Sequence, residues 1–122
     1  MYLMRAIRTL DGRSHPMAGV FPGEAVMRDR LQALGYVEVE TQAATPLGGP
    51  GLRFRGHQFR YSDLEGMPDG AARAYRVRPR RGKEPFSEGY AAAGTLGSYV
   101  HAHWASNPRA AEGFVEACAE IR

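Results

Sequence analysis

His101 and His103 stand two residues apart in Ser98-Tyr99-Val100-His101-Ala102-His103-Trp104, so on a strand both imidazoles leave the same face. The chain then turns at Ser106-Asn107-Pro108, and strand ends are where α/β folds place working groups. Three chemistries compete for such a pair. A His-x-His metal site needs further ligands, and no Cys, Asp or Glu accompanies the pair at a recognised metal spacing, so no metal is expected. A structural role would tuck one ring under the following helix and leave the other solvated. A general base needs a nucleophile to activate. Cys118, the sole cysteine, falls on the apolar face of the predicted terminal helix, where a thiol behaves as a small hydrophobe. Ser98, three residues before His101, faces the other side of the strand, and no Gly-x-Ser-x-Gly elbow occurs. His57, within Arg55-Gly56-His57-Gln58-Phe59-Arg60-Tyr61-Ser62, could reach a site from a neighbouring strand. There is neither a phosphate-binding Gly-x-x-x-x-Gly-Lys-Ser/Thr loop nor a dinucleotide fingerprint, so no cofactor is expected in the chain itself.

The elements that must position these groups follow from periodicity. Leu3, Ile7 and Leu10 at helical spacing predict an uncapped N-terminal helix over 1–10, ended by Asp11-Gly12. Met17 to Phe21 reads as a short strand, and Glu24 to Leu34 suits helix or strand. Tyr36-Val37-Glu38-Val39-Glu40 alternates strictly, and Leu52 to Tyr61 puts Leu52 and Phe54 inward with Arg53 and Arg55 outward. Thr45 to Gly51 and Met67 to Gly70 are turns, Ala74 to Val77 a strand, Pro79 to Glu88 a polar loop, and Gly94 to Trp104 a strand with small residues. Asn107 as N-cap and Pro108 at the first helical position start a docked terminal helix with Ala111, Phe114, Cys118 and Ile121 inward. No repeat or linker interrupts the chain, so residues 1–122 read as one α/β or α+β domain.

Composition narrows the function class. With 122 residues, 43% hydrophobic and 24% charged, the chain is globular in character, and no apolar run approaches the ~20 residues of a membrane span. The single cysteine and the lack of a signal-peptide pattern favour the cytoplasm over a secreted disulfide scaffold. All cations but Lys83 are arginine, yet sixteen cations against thirteen carboxylates leave a net charge of only +3, and the Arg76 to Lys83 run lacks interleaved aromatics; no nucleic-acid partner is expected.

Three stretches together resemble a known family. They are Met17-Ala18-Gly19-Val20-Phe21-Pro22-Gly23-Glu24-Ala25-Val26-Met27 with Arg30-Leu31-Gln32-Ala33-Leu34-Gly35-Tyr36-Val37; Leu52-Arg53-Phe54-Arg55-Gly56-His57-Gln58-Phe59; and Gly89-Tyr90 on to Ser98-Tyr99-Val100-His101-Ala102-His103-Trp104 with Ser106-Asn107-Pro108. In this order they are similar to the C-terminal, class I-like glutamine amidotransferase domain of cobyrinic acid a,c-diamide synthase.

The resemblance implies a partial α/β amidotransferase fold, a mixed sheet with an N-terminal helix and a docked C-terminal helix. It implies a parent enzyme in which this domain releases ammonia from glutamine, while an N-terminal domain uses Mg-ATP to activate carboxylates of a tetrapyrrole. The family's nucleophile lies in a Cys-Gly-Gly-Leu-Met-Tyr-Leu pattern, and this chain opens with Met1-Tyr2-Leu3. It is therefore expected to start just after the nucleophile, to be inactive alone, and to need the nucleophile-bearing, ATP-binding segment as partner. The family's Ser-Tyr-(Val/Leu)-His pattern carries its histidine onto His101, with Ser98 and Tyr99 beside it; His57, Gln58 and His103 are possible supporting residues. Where related glutaminases have a glutamate two residues after the histidine, this chain has His103. The family's Gly-His-Glu-Phe-His-Tyr appears as Gly56-His57-Gln58-Phe59-Arg60-Tyr61, and its Gly-Asn as Ala93-Gly94. These departures keep open a second expectation, a non-catalytic binding or assembly module. Apolar surface left by an incomplete sheet would favour self-association into a homo-oligomer.

Overall fold

A computed structural model describes residues 1–120, which form two compact units, Met1–Leu34 with Phe59–Ala71 and Gly35–Gln58 with the described residues from Ala72 onward. The first holds a four-stranded sheet ordered β2-β1-β3-β6, made of β1 (Met4–Arg8), β2 (Ser14–Pro16), β3 (Phe21–Met27) and β6 (Ser62–Glu65). It is mixed: β1 runs parallel to β3, while β2 and β6 are antiparallel to their neighbours. The first residues are thus strand, not the predicted helix. Met4 and Ala6 are buried while Arg5 between them is exposed, a period of two that pairing with β2 and β3 rewards on both edges. An uncapped ten-residue helix has no comparable compensation for its nucleation cost. The predicted strand at 17–21 moves outward to β2 and β3, and the ambiguous Glu24 to Leu34 stretch divides into the end of β3, a loop and the start of β4.

The core of this unit is Met4, Ala6, Phe21, Ala25 and Val26. Its rim carries an ion-pair ladder: Arg5 on Glu24 (2.8 Å), Arg8 on Glu65 (2.7 Å), Arg28 on Glu65 (2.7 Å) and Arg60 on Asp63 (2.5 Å). Arg5, Arg8, Arg28 and Arg60 are thereby paired within the unit.

The second unit is built on a six-stranded sheet ordered β10-β5-β4-β7-β8-β9, from β4 (Ala33–Thr41), β5 (Arg53–Arg60), β7 (Arg73–Pro79), β8 (Phe86–Ala92), β9 (Thr95–Gly97) and β10 (His101–Ala102). Inward residues Val37, Val39, Phe54, Tyr75 and Val77 alternate with outward Glu38, Arg53, Arg55, Arg76 and Arg78; the sequence predicts this alternation at 36–40 and around Phe54. Thr41, 1% exposed, donates to Gly49 O (2.7 Å) and accepts from Leu52 N (2.9 Å), which pins the 45–51 turn. The polar loop predicted over Pro79 to Glu88 shrinks, because β8 starts at Phe86 and Glu88 is buried. The strand predicted over Gly94 to Trp104 breaks into β9, β10 and a 3-10 turn at Trp104–Ser106.

The terminal helix α1 (Pro108–Glu120) begins as expected: Asn107 Oδ1 accepts from Arg109 N (3.1 Å), and Asn107 Nδ2 donates to Arg53 O (2.7 Å). Its docking face is not the predicted one. Ala110 is buried and Ala111, Gly113 and Ala117 half-buried, whereas Phe114 and Cys118 are exposed; Ile121 lies outside the described residues. Backbone proximity decides this. A Cβ on Gly113 would overlap the Leu47 carbonyl oxygen and lie 2.8 Å from its carbon, so only the small-residue face fits against the 45–51 turn. Cys118 is therefore not the core residue expected from the sequence.

Candidate functional site

The edge strand β10 is two residues long and pairs antiparallel with β5, His101 opposite His57 and Ala102 opposite Gly56. Directly opposed residues share a face, so the two imidazoles sit side by side on the outward face of the sheet. His103 N donates to Arg55 O (2.9 Å), extending the same alternation and putting His103 on that face too. The three histidines, with Tyr36, Glu38, Arg55 and Arg80, line a surface cleft of about 660 Å³. The His57 ring meets the edge of Tyr36 at 5.4 Å between centroids. Among the described residues no cluster of three potential metal ligands occurs, and neither Arg55 nor Arg80 has an ion-pair partner.

The other predicted site residues do not join this face. Gln58 is 3% exposed and one position further along β5, hence on the opposite side of the sheet from His57 and His101; its Nε2 is buried without a partner. Ser98 and Tyr99 are turned to Glu88: Ser98 Oγ donates to Glu88 Oε2 (2.6 Å), Tyr99 N donates to Oε1 (2.8 Å), and Ser98 Oγ accepts from Val100 N (2.9 Å). Cys118, on α1, is not among the residues lining the cleft.

Two further residues, neither singled out by the sequence pattern, contact the backbone leading into β10. Gly56, buried on β5, admits β10: a Cβ there would overlap Val100 Cγ1 and lie 2.8 Å from the His101 carbonyl oxygen. Glu88 lies opposite Tyr75 in the β7–β8 ladder. Burial, and then the Glu88 charge, pushes the Tyr75 hydroxyl well above the usual tyrosine range. Glu88, the third residue of β8, offers no signal in the sequence, since a lone acid between Ser87 and a glycine reads as loop unless its strand phase is known.

A family model described as a CobB/CobQ-like glutamine amidotransferase domain matches residues 1–109. The chain is 49% identical over 119 residues to a cobyrinate a,c-diamide synthase of Leptospira interrogans, covering 97% of this chain and 26% of that protein. It is 41% identical over 120 residues to one from Syntrophotalea carbinolica, again covering 26% of it. Over 121 residues it is 31% identical to one from Salmonella typhimurium. The chain thus spans about a quarter of the length of the curated relatives it matches. No helix among the described residues is long and apolar enough to cross a membrane.

Proposed function

This chain belongs to the CobB/CobQ-like glutamine amidotransferase domain family, and on that premise we propose that it is the histidine-bearing part of a glutaminase centre in a cobyrinate a,c-diamide synthase-like amidoligase. The observation that carries the reading is the placement of His101. It starts the edge strand β10, faces outward beside His57, and opens on a cleft of about 660 Å³ that suits an amino-acid amide.

In this reading His101 takes the proton of a cysteine thiol supplied by a segment outside these 122 residues. The thiolate attacks the glutamine carboxamide carbon, and the proton returns to the nitrogen as the C–N bond breaks and ammonia leaves. Water then hydrolyses the thioester to glutamate. The ammonia amidates a tetrapyrrole carboxylate activated by Mg-ATP in the rest of the enzyme, so ATP and macrocycle bind elsewhere. A reducing cytoplasm suits a catalytic thiol. Phe114 and Val115, exposed on α1, are apolar surface that a second copy or another segment would cover.

One observation favours the second reading, a non-catalytic module: the sole cysteine stands on α1 and not in the histidine cleft. Complementation separates the two. Adding the chain to, or fusing it behind, a family segment bearing the Cys-Gly-Gly-Leu pattern should produce ammonia from glutamine, with neither part active alone. Correct assembly without any ammonia would refute the glutaminase reading and leave the module.

A further inference from the structure

We propose that Glu88 is a positioning residue for His101, its carboxylate fixing the 98–100 turn from which β10 starts. Residues 98–100 lie between β9 and β10, outside the named strands. The Ser98 hydroxyl and the Tyr99 amide converge there on one side chain, that of Glu88. Tyr99 N–H bonds to one carboxylate oxygen and the Ser98 hydroxyl to the other, while Ser98 Oγ in turn receives Val100 N–H. Val100 is then the residue whose side chain closes over Gly56, and the His101 carbonyl lies against the same glycine. The line of contact runs from carboxylate to turn to the backbone that carries the imidazole.

Chemistry argues against a mere filler at this place. Glu88 is 6% exposed and sits opposite Tyr75, whose ring packs edge-on against Phe54 at 5.5 Å. Burying a carboxylate there is costly unless it accepts strong hydrogen bonds, and an apolar residue would fill the volume without that cost. What the carboxylate provides is two charge-assisted acceptors at fixed positions. Gly89 completes the arrangement: at φ 73° it adopts a conformation side chains resist, and a Cβ there would meet Gly97 O at 3.0 Å and Ser98 Cβ at 3.4 Å. The strand after Glu88 is thereby kept bare where the turn must approach.

The catalytic purpose of this positioning rests on reading His101 as the glutaminase base; the hold on the turn does not. The test is therefore made on this chain without glutamine or nucleophile, by amide hydrogen exchange and His101 ring resonances. In Glu88→Gln, Tyr99 and Val100 amides should exchange about ten- to a hundredfold faster, the loss expected for a charge-assisted bond. His101 ring signals should shift and broaden, while Val39 and Val77 amides and the His15 ring stay at native values. Should Glu88→Gln fail to fold, Ser98→Ala must give the same pattern for Val100 and His101, and Ser98→Thr, which keeps the hydroxyl, must restore it. Native exchange and native His101 signals in the variants would overturn the proposal, and so would an equal rise at Val39 and Val77, which marks general loosening. A failed glutaminase reading would show instead as absent ammonia release with this exchange pattern intact.

Discussion

Replacing Gly56 by alanine tests the packing that admits the histidine strand. The backbone of Gly56 is not at positive φ, so alanine meets no conformational objection; its methyl carbon simply lands on Val100 Cγ1 and 2.8 Å from the His101 carbonyl oxygen. Carbon–oxygen contacts in sheets begin near ~3.3 Å, so the shortfall is about half an ångström. Val100 can change rotamer, but the carbonyl can retreat only if β10 peels from β5. Overpacking of this kind costs about 1–3 kcal/mol, and the strand's hydrogen bonds add about 1 kcal/mol each where lost. Gly56→Ala should destabilise the second unit by about 3 kcal/mol. Trp104, the only tryptophan, lies two residues after β10 and reports the change, so urea unfolding followed by its fluorescence is the assay. At an m-value of about 2 kcal/mol per molar, the midpoint should fall by roughly 1.5 M. Gly49→Ala, at a glycine with nothing within 4 Å of an added Cβ and no positive φ, is the control and should be neutral to slightly stabilising. A Gly56→Ala midpoint equal to that of Gly49→Ala would refute the reasoning.

Three further outcomes are expected. Ala93 (φ 47°) and Gly94 (φ 74°) form the two-residue turn between Ala92 and its partner Thr95, so Ala93→Asn should raise the thermal midpoint by an amount worth about 1 kcal/mol, and no rise would contradict the turn assignment. Asn107→Ala should cost about 1–2 kcal/mol through loss of the α1 cap, with further loss from the tie to Arg53 O; Asn107→Ser should recover the cap share alone in the same unfolding assay. The Arg28 hydrogen bond, reinforced by Arg8, holds the Glu65 carboxyl below the usual glutamate range. Its stabilisation is therefore complete above that range and lost as pH falls through the lower folded value, so Glu65→Gln should flatten the acid limb of a stability–pH curve for the first unit.

The parts of the molecule that sequence patterning foretold are those where one local rule sufficed. Alternation at 36–40 and around Phe54 fixed strand faces, and Asn107-Pro108 fixed the helix start. Misjudgements arose where a distant partner decided. Leu3, Ile7 and Leu10 have helical spacing, but β1 gains neighbours on both sides only as a strand. The helix α1 docks through Ala110, Gly113 and Ala117 because the Leu47 carbonyl leaves no room for larger residues, a steric fact no moment along the helix contains. The shared face of His101 and His103 was legible from their spacing, and the register places His57 opposite His101. Glu88 was not legible, since its importance lies in bonds to a turn ten residues further along.

The central claim is that His101, and not its neighbours, is the base of a cysteine glutaminase. The direct measurement is the initial rate of ammonia release from glutamine by the chain joined to a nucleophile-bearing family segment, compared for His101→Ala, His57→Ala and His103→Ala. The account predicts a loss of about 10²–10⁴-fold for His101→Ala, the usual contribution of a general base, with lesser losses for the other two. A His101→Ala rate equal to the unsubstituted rate would contradict it.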